Sequence, residues 1–253
     1  MRAANLAAVA LAAALPSACG AETPSTGAAT PRTVTVFAAA SLTRAFEALG
    51  RPFHQANPAY RVRFDFAGSP TLVTQLTQGA RADALATADS VNMAAAVTAG
   101  VAGTPHIFAR NVLEIAVATG NPNHLTGLAD LGRAGLTVVL AAPNVPAGRY
   151  AEQALAKAGV RVHPSSLETD VEGVLTAVET GQADAGIVYA TDVAGAAGKV
   201  AGVRIPAADN VVATYPVARV KGAPDAAGAS AFIAYLLSAA GQEVLQRFGF
   251  EGS

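Results

Sequence analysis

From residue 32 onward the chain keeps changing its hydrophobic rhythm. TVTVF at 33–37 alternates apolar and polar positions as a strand does, whereas LTRAFEAL at 42–49 repeats its apolar positions at helical spacing. RVRFDF at 61–66 returns to period two and puts Val62, Phe64 and Phe66 on one face. Continuing in this way, the pattern predicts strands at 34–37, 61–66, near Leu85, and at 112–119, 136–140 and 185–189. It predicts helices at 42–55, 70–78, 91–99, 150–158, 171–180, 230–237 and 242–248, with Gly79 and Gly100 closing two of them. No repeat of fixed period and no heptad is present. Strands alternating with helices imply α/β layers with mainly parallel sheets. In open sheets of that kind, ligands bind beyond the carboxyl ends of the strands, where loops lead into helices.

The first residues follow a different logic. MRAANLAAVALAAALPSAC has one early arginine, an apolar run from Leu6 to Leu15 and then small residues before Cys19. The run is short for a bilayer span and reads as a signal peptide over residues 1–19. LPSAC resembles a lipoprotein cleavage box, with Pro16 where leucine is usual, so Cys19 is the expected lipidated residue. Residues 20–31, GAETPSTGAATP, read as a flexible linker. The chain is thus expected to be exported, either periplasmic or as a cell-surface lipoprotein whose only membrane attachment is the lipid on Cys19.

Composition removes several functions. Of 253 residues, 52% are hydrophobic and 14% charged, which suits a globular chain, and the formal net charge is −1. The 17 lysines and arginines form no basic stripe, which argues against nucleic acid as a partner. Cys19 is the only cysteine, so neither an internal disulfide nor a cysteine-cluster metal site is available. The chain has no G-x-S-x-G, Walker phosphate loop, G-x-G-x-x-G or H-E-x-x-H. His54, His106, His124 and His163 are scattered singly, the usual pattern of solvated surface groups. A secreted hydrolase using Ser41 or Ser69 as nucleophile would need a histidine beside it, and no local motif supplies one.

The junctions where strands hand over to helices carry more information. FAAASLT places three alanines before Ser41, at an expected N-cap, and FAGSPTL places Ser69 before Pro70, a strong helix-start signal. AAPNVPAGRYAEQAL leads through Ala147 and Gly148 into another helix, and LETDVEGVL puts Asp170 at an N-cap with Val171 in the first turn. Each junction exposes unpaired N–H groups and the positive end of a helix dipole, a natural place for a small anion. A serine at an N-cap ordinarily serves its own helix, and Tyr189 at the end of AGIVY ordinarily packs as a partly buried core aromatic.

Taken together, VTVFAAASLT (34–43), FAGSPTL (66–72), VPAGRYAEQAL (145–155), TDVEGVLTAVETGQADAGIVY (169–189), TYPVA (214–218) and QRFGF (246–250) resemble the molybdate-binding proteins of bacterial ABC transporters. The resemblance spans the chain from Val34 to its C-terminal region. RADALATAD (81–89) departs from it by carrying small Ala84 and Ala86. The resemblance implies an α/β, two-lobed periplasmic-binding-protein fold of type II, each lobe a mainly parallel sheet flanked by helices, with two chain crossings between lobes. Lobe I would take 32–112 and 217–253, and lobe II 113–216. It further implies that molybdate, with tungstate, is held as an oxyanion by Ser41, Ser69, Ala147, Val171 and Tyr189. No cofactor and no catalytic step are implied. The implied partners are a small inorganic oxyanion and the membrane permease and ATPase of an ABC importer, with the binding protein a monomer. A receptor for sulfate or another small oxyanion is the alternative on the same scaffold. Donor groups alone suit a fully ionised dianion, because its oxygens only accept hydrogen bonds.

Overall fold

The computed structural model describes residues 30–252. The expected signal segment, Cys19 and nearly all of the 20–31 linker lie outside the described residues. Strand β1 (Arg32–Ala39) starts exposed and ends in four consecutive buried positions, the signature of a strand covered on both faces. A 3-10 turn, Ala40–Leu42, separates it from α1 (Thr43–Ala56), which buries Ala45, Phe46, Leu49 and Phe53 along one stripe. In β2 (Tyr60–Ala67) half-buried and exposed positions alternate, with Val62, Phe64 and Phe66 on the inward face. Then follow α2 (Ser69–Thr77), β3 (Ala84–Ala86), α3 (Ser90–Thr98), β4 (His106–Ala118), β5 (Val138–Ala141), α4 (Pro146–Lys157) and β6 (Ser166–Glu168). The chain continues through α5 (Val171–Glu179), β7 (Ala185–Tyr189), α6 (Ala190–Gly195), β8 (Val200–Arg204), β9 (Val212–Arg219), α7 (Ala226–Leu237) and α8 (Ala239–Arg247).

The strands run β2-β1-β3-β9-β4-β7-β5-β6 across one curled sheet, and β8 also pairs with β4. Within that path β4 changes partners. Its residues from His106 to Val112 pair with β9, and those from Leu113 to Ala118 pair with β7 and β8. At the change, the side-chain amide of Asn210 accepts from the Leu113 N–H at 3.0 Å and donates to the Leu113 carbonyl at 2.8 Å. The α/β class expected from the pattern is present, with helices against both half-sheets. Parallel ladders join β1 to β2 and β3 in one half and β5 to β6 and β7 in the other. The mainly parallel pairing is therefore confined to those six strands. β4 and β9 run between the halves and make antiparallel ladders with each other and with β3, β7 and β8.

Several elements depart from the predicted pattern. β4 begins six residues before the predicted 112, and β6, α6, β8 and β9 were not expected. In β9, Pro216 breaks the strand signal because it lacks a ladder N–H; it is accommodated opposite Ile107, where the β4 register shifts before Ala109. The first half packs around Phe46, whose ring centroid lies 5.4 Å from Phe64 and 5.8 Å from both Phe108 and Phe232. Burying each such ring contributes about 1.5–3 kcal/mol. Ala84 and Ala86, the small residues of the atypical 81–89 segment, are completely buried inside the sheet. No helix among the described residues is long and apolar enough to cross a membrane.

Candidate functional site

The parallel strands deliver their carboxyl ends to one place. β1 runs into Ala40 and Ser41, β2 into Gly68 and Ser69, β5 toward Val145 and Ala147, β6 into Asp170 and Val171, and β7 ends on Tyr189. All of these residues line a single cavity, so the structure brings together the five residues expected at an anion site: Ser41, Ser69, Ala147, Val171 and Tyr189. The cavity measures about 10 Å³ for the centre of a water-sized sphere. A space of that size takes one water or one compact ion, not an organic metabolite.

Its lining is short of charge. No lysine, arginine or histidine reaches it, and the one carboxylate, Asp170, turns to its own helix by accepting from the Gly173 N–H at 3.0 Å. That bond caps α5 as expected and leaves the N–H of Val171, at the first helical position, without an intrahelical acceptor. At α4 the first helical residue is Pro146, the N-cap is Val145 and no side chain caps the turn, so the Ala147 N–H is likewise free of the helix ladder. Gly148 lets that first turn settle onto the end of β5, because a Cβ there would stand 2.2 Å from the Ala142 carbonyl oxygen. Gly68 does the same between the two halves of the molecule: its Cβ would lie 2.3 Å from the Thr169 carbonyl oxygen.

The two serines do not cap their helices, contrary to the expectation from sequence. Ser41 lies inside the 3-10 turn, which puts Leu42 at the N-cap of α1; Gly68 is the N-cap of α2, and neither helix has a side-chain cap. The reason is that distant segments claim the hydroxyls. Ser69 Oγ accepts from the Ala88 N–H at 3.1 Å, and Ser41 Oγ lies 3.2 Å from the Tyr215 hydroxyl. Tyr189 is 1% exposed and its hydroxyl has no hydrogen-bond partner among the described residues. Burial pushes its pKa well up, so it stays a neutral O–H donor. A buried hydroxyl without a partner costs about 1–3 kcal/mol, and a ligand acceptor would recover it.

Two ion pairs flank the cavity without entering it. Arg149 on α4 pairs with Asp89, the buried N-cap of α3. On the other side Arg44 of α1 lies 3.7 Å from Glu172 of α5 and donates to the Asp192 carbonyl at 3.4 Å. Burial raises the pKa of Glu172, with Arg44 opposing, and burial together with the Glu172 charge raises that of Asp192 well above the carboxylate range. Sequence reasoning missed these pairs, and with them Tyr215 and Asn111. TYPVA, which holds Tyr215, was recognised only as a motif without a role.

The family model described as bacterial extracellular solute-binding protein matches residues 34–251. The chain belongs to this solute-binding family. Solute-binding proteins capture their ligands rather than convert them. The molybdate-binding protein ModA of Mycobacterium tuberculosis is 44% identical over 238 residues, 92% of this chain and 91% of the relative. Among solved structures, the periplasmic molybdate-binding protein of Azotobacter vinelandii superposes with a TM-score of 0.72 at 18% identity, covering 86% of this chain and 98% of its own. The sulfate-binding protein SubI of Mycobacterium tuberculosis gives 0.79 at 19% identity, covering 87% of each chain. The two structures share the fold of this solute-binding protein, and the resemblance to molybdate-binding proteins read from the sequence holds at the level of family.

Proposed function

We propose that this solute-binding protein captures molybdate, and tungstate with it, in the cavity held by Ser41, Ser69, Ala147, Val171 and Tyr189. It would act as a monomer and pass the anion to the permease and ATPase of an ABC importer. The observation that carries the reading is the buried Tyr189 hydroxyl, without a hydrogen-bond partner among the described residues, lining a cavity with serine hydroxyls and helix-start N–H groups, whose one carboxylate, Asp170, is engaged by its own helix. A tetrahedral dianion offers acceptors to every one of these donors, and the dipoles of α2, α4 and α5 compensate its charge without a salt bridge. The similarity to named molybdate-binding relatives supports the same ligand. Phosphate, still partly protonated at neutral pH, would bring a proton toward a site built of donors, at a cost of about 1–3 kcal/mol. Sulfate passes that filter, so cavity size must exclude it.

Capture would close two lobes, 32–112 with 217–253 against 113–216, about the two chain crossings near 112, where β4 changes partners, and 216. Cys19 would carry the lipid that keeps the protein at the membrane. Thermal unfolding with molybdate, tungstate, sulfate and phosphate tests the ligand. An anion at a hundred times its dissociation constant adds about 2.7 kcal/mol to native stability. The expected result is a large rise in melting temperature with molybdate and tungstate and little with phosphate. A rise with sulfate alone would transfer the site to sulfate, and no rise with any of the four would overturn the proposal.

A further inference from the structure

We infer that Tyr215 is a positioning residue that biases the Ser41 hydroxyl toward donating into the cavity and thereby selects against protonated anions. The inference rests on the reading of the cavity as an oxyanion site. It starts from the direction of a buried hydrogen-bond chain. The Asn111 carbonyl Oδ1 accepts from the Val112 N–H at 2.9 Å, which settles which way that buried amide points. Its Nδ2 therefore faces Thr191 Oγ1 at 2.8 Å and the Tyr215 hydroxyl at 3.5 Å. An amide N–H can only donate, so the side of the Tyr215 oxygen facing Asn111 must accept. Either hydroxyl of the Tyr215–Ser41 contact at 3.2 Å could donate, and with Asn111 already donating to the phenol oxygen we assign the phenol proton to Ser41 Oγ. With a lone pair of its oxygen occupied by that proton, Ser41 directs its own O–H into the cavity it lines.

The arrangement is rigid and protected. Tyr215 is fully buried, and its ring is held edge-on by Phe250 at 5.4 Å, Tyr189 at 5.8 Å and Phe108 at 6.2 Å. Burial also keeps the phenol protonated. Ser69 is set in the same sense by a different donor, since its oxygen accepts the Ala88 N–H. The second case makes the first more than an isolated contact: both serine oxygens are supplied with a proton from the protein side, and each spends its own on the cavity. A ligand that arrives with a proton finds both serine oxygens already accepting a hydrogen bond from the protein, and so poorer acceptors for that proton.

Calorimetric titration of wild type, Tyr215→Phe, Ser41→Ala and the double variant with molybdate and with phosphate tests this. Without the phenol proton, Ser41 can rotate and accept. Tyr215→Phe is expected to weaken molybdate binding about tenfold, the worth of one biased hydrogen bond, while phosphate binding holds or tightens. In the Ser41→Ala background the same change should have no further effect. An equal loss for both anions, or an undiminished loss without Ser41, would overturn the inference and leave Tyr215 a packing residue. A wild type that binds neither anion would instead remove the oxyanion reading and this inference with it. If Tyr215→Phe proves too unstable to titrate, Thr191→Val loosens the Asn111 amide with the phenol intact. A fall in the molybdate-to-phosphate ratio of about threefold is then expected, and an unchanged ratio counts against the chain.

Discussion

The two sides of the cavity are built from different chemistry. The β1 and β2 exits contribute side-chain hydroxyls, Ser41 and Ser69, whose partners Tyr215 and Ala88 come from distant segments. The α4 and α5 starts contribute main-chain N–H groups at Ala147 and Val171, where the side chain matters only for packing. The hydroxyl side can thus be tuned one atom at a time, whereas the amide side is fixed by where two helices begin. If the proposed anion binds there, affinity would be shared between them, yet their vulnerability to substitution would be opposite.

The comparison breaks most completely at Ser41. Ser41→Asp would set a carboxylate against the bound dianion, and the molybdate-induced rise in melting temperature should vanish; full retention would remove Ser41 from the site. On the amide side, Val171→Pro deletes one N–H at the first helical position, where proline is tolerated, after an Asp170 whose extended φ of −157° and ψ of 174° suit a following proline. Loss of a hydrogen bond to a charged ligand predicts affinity reduced roughly 10–100-fold. Val171→Ala should leave affinity nearly unchanged, and if it matched the proline variant the main-chain assignment would fail.

Gly68→Ala addresses the meeting of the two sides, because the new Cβ would press on the Thr169 carbonyl. Overpacking of that kind costs about 1–3 kcal/mol, so the ligand-free melting point should fall by a few degrees and anion binding should weaken with it. The smallest effect is expected behind the site at Asp192, which accepts the Tyr189 N–H at 3.0 Å. Its raised pKa means the native state keeps a proton that the unfolded chain gives up earlier. Stability should therefore fall as pH climbs from the ordinary carboxylate range toward the native pKa. Asp192→Asn keeps an acceptor, removes the titration and should flatten that slope in melting curves taken across pH.

Much of this was legible in the sequence, for reasons that also mark its limit. The alternating rhythm exposed the strand-to-helix junctions, and small residues around Ser41 and Ser69 singled them out as close-approach points. The capping role read for both serines failed because their true partners lie 174 and 19 residues away. Asp170, whose partner is three residues on, behaved as read. Tyr215 escaped notice because Pro216 hid the strand that carries it. The Arg149–Asp89 pair, 60 residues apart, has no sequence signature at all; only the apposition of α4 with the start of α3 creates it.

One feature of β4 reaches beyond the cavity. At Leu113 the Asn210 side chain serves both main-chain groups, standing in for a neighbouring strand just where the real neighbours change. A seam stitched in this way can crease without laying bare a peptide group to solvent. Deuterium labelling should therefore find Leu113 among the slowly exchanging amides, and Asn210→Ala should turn that quiet fold line into a leak.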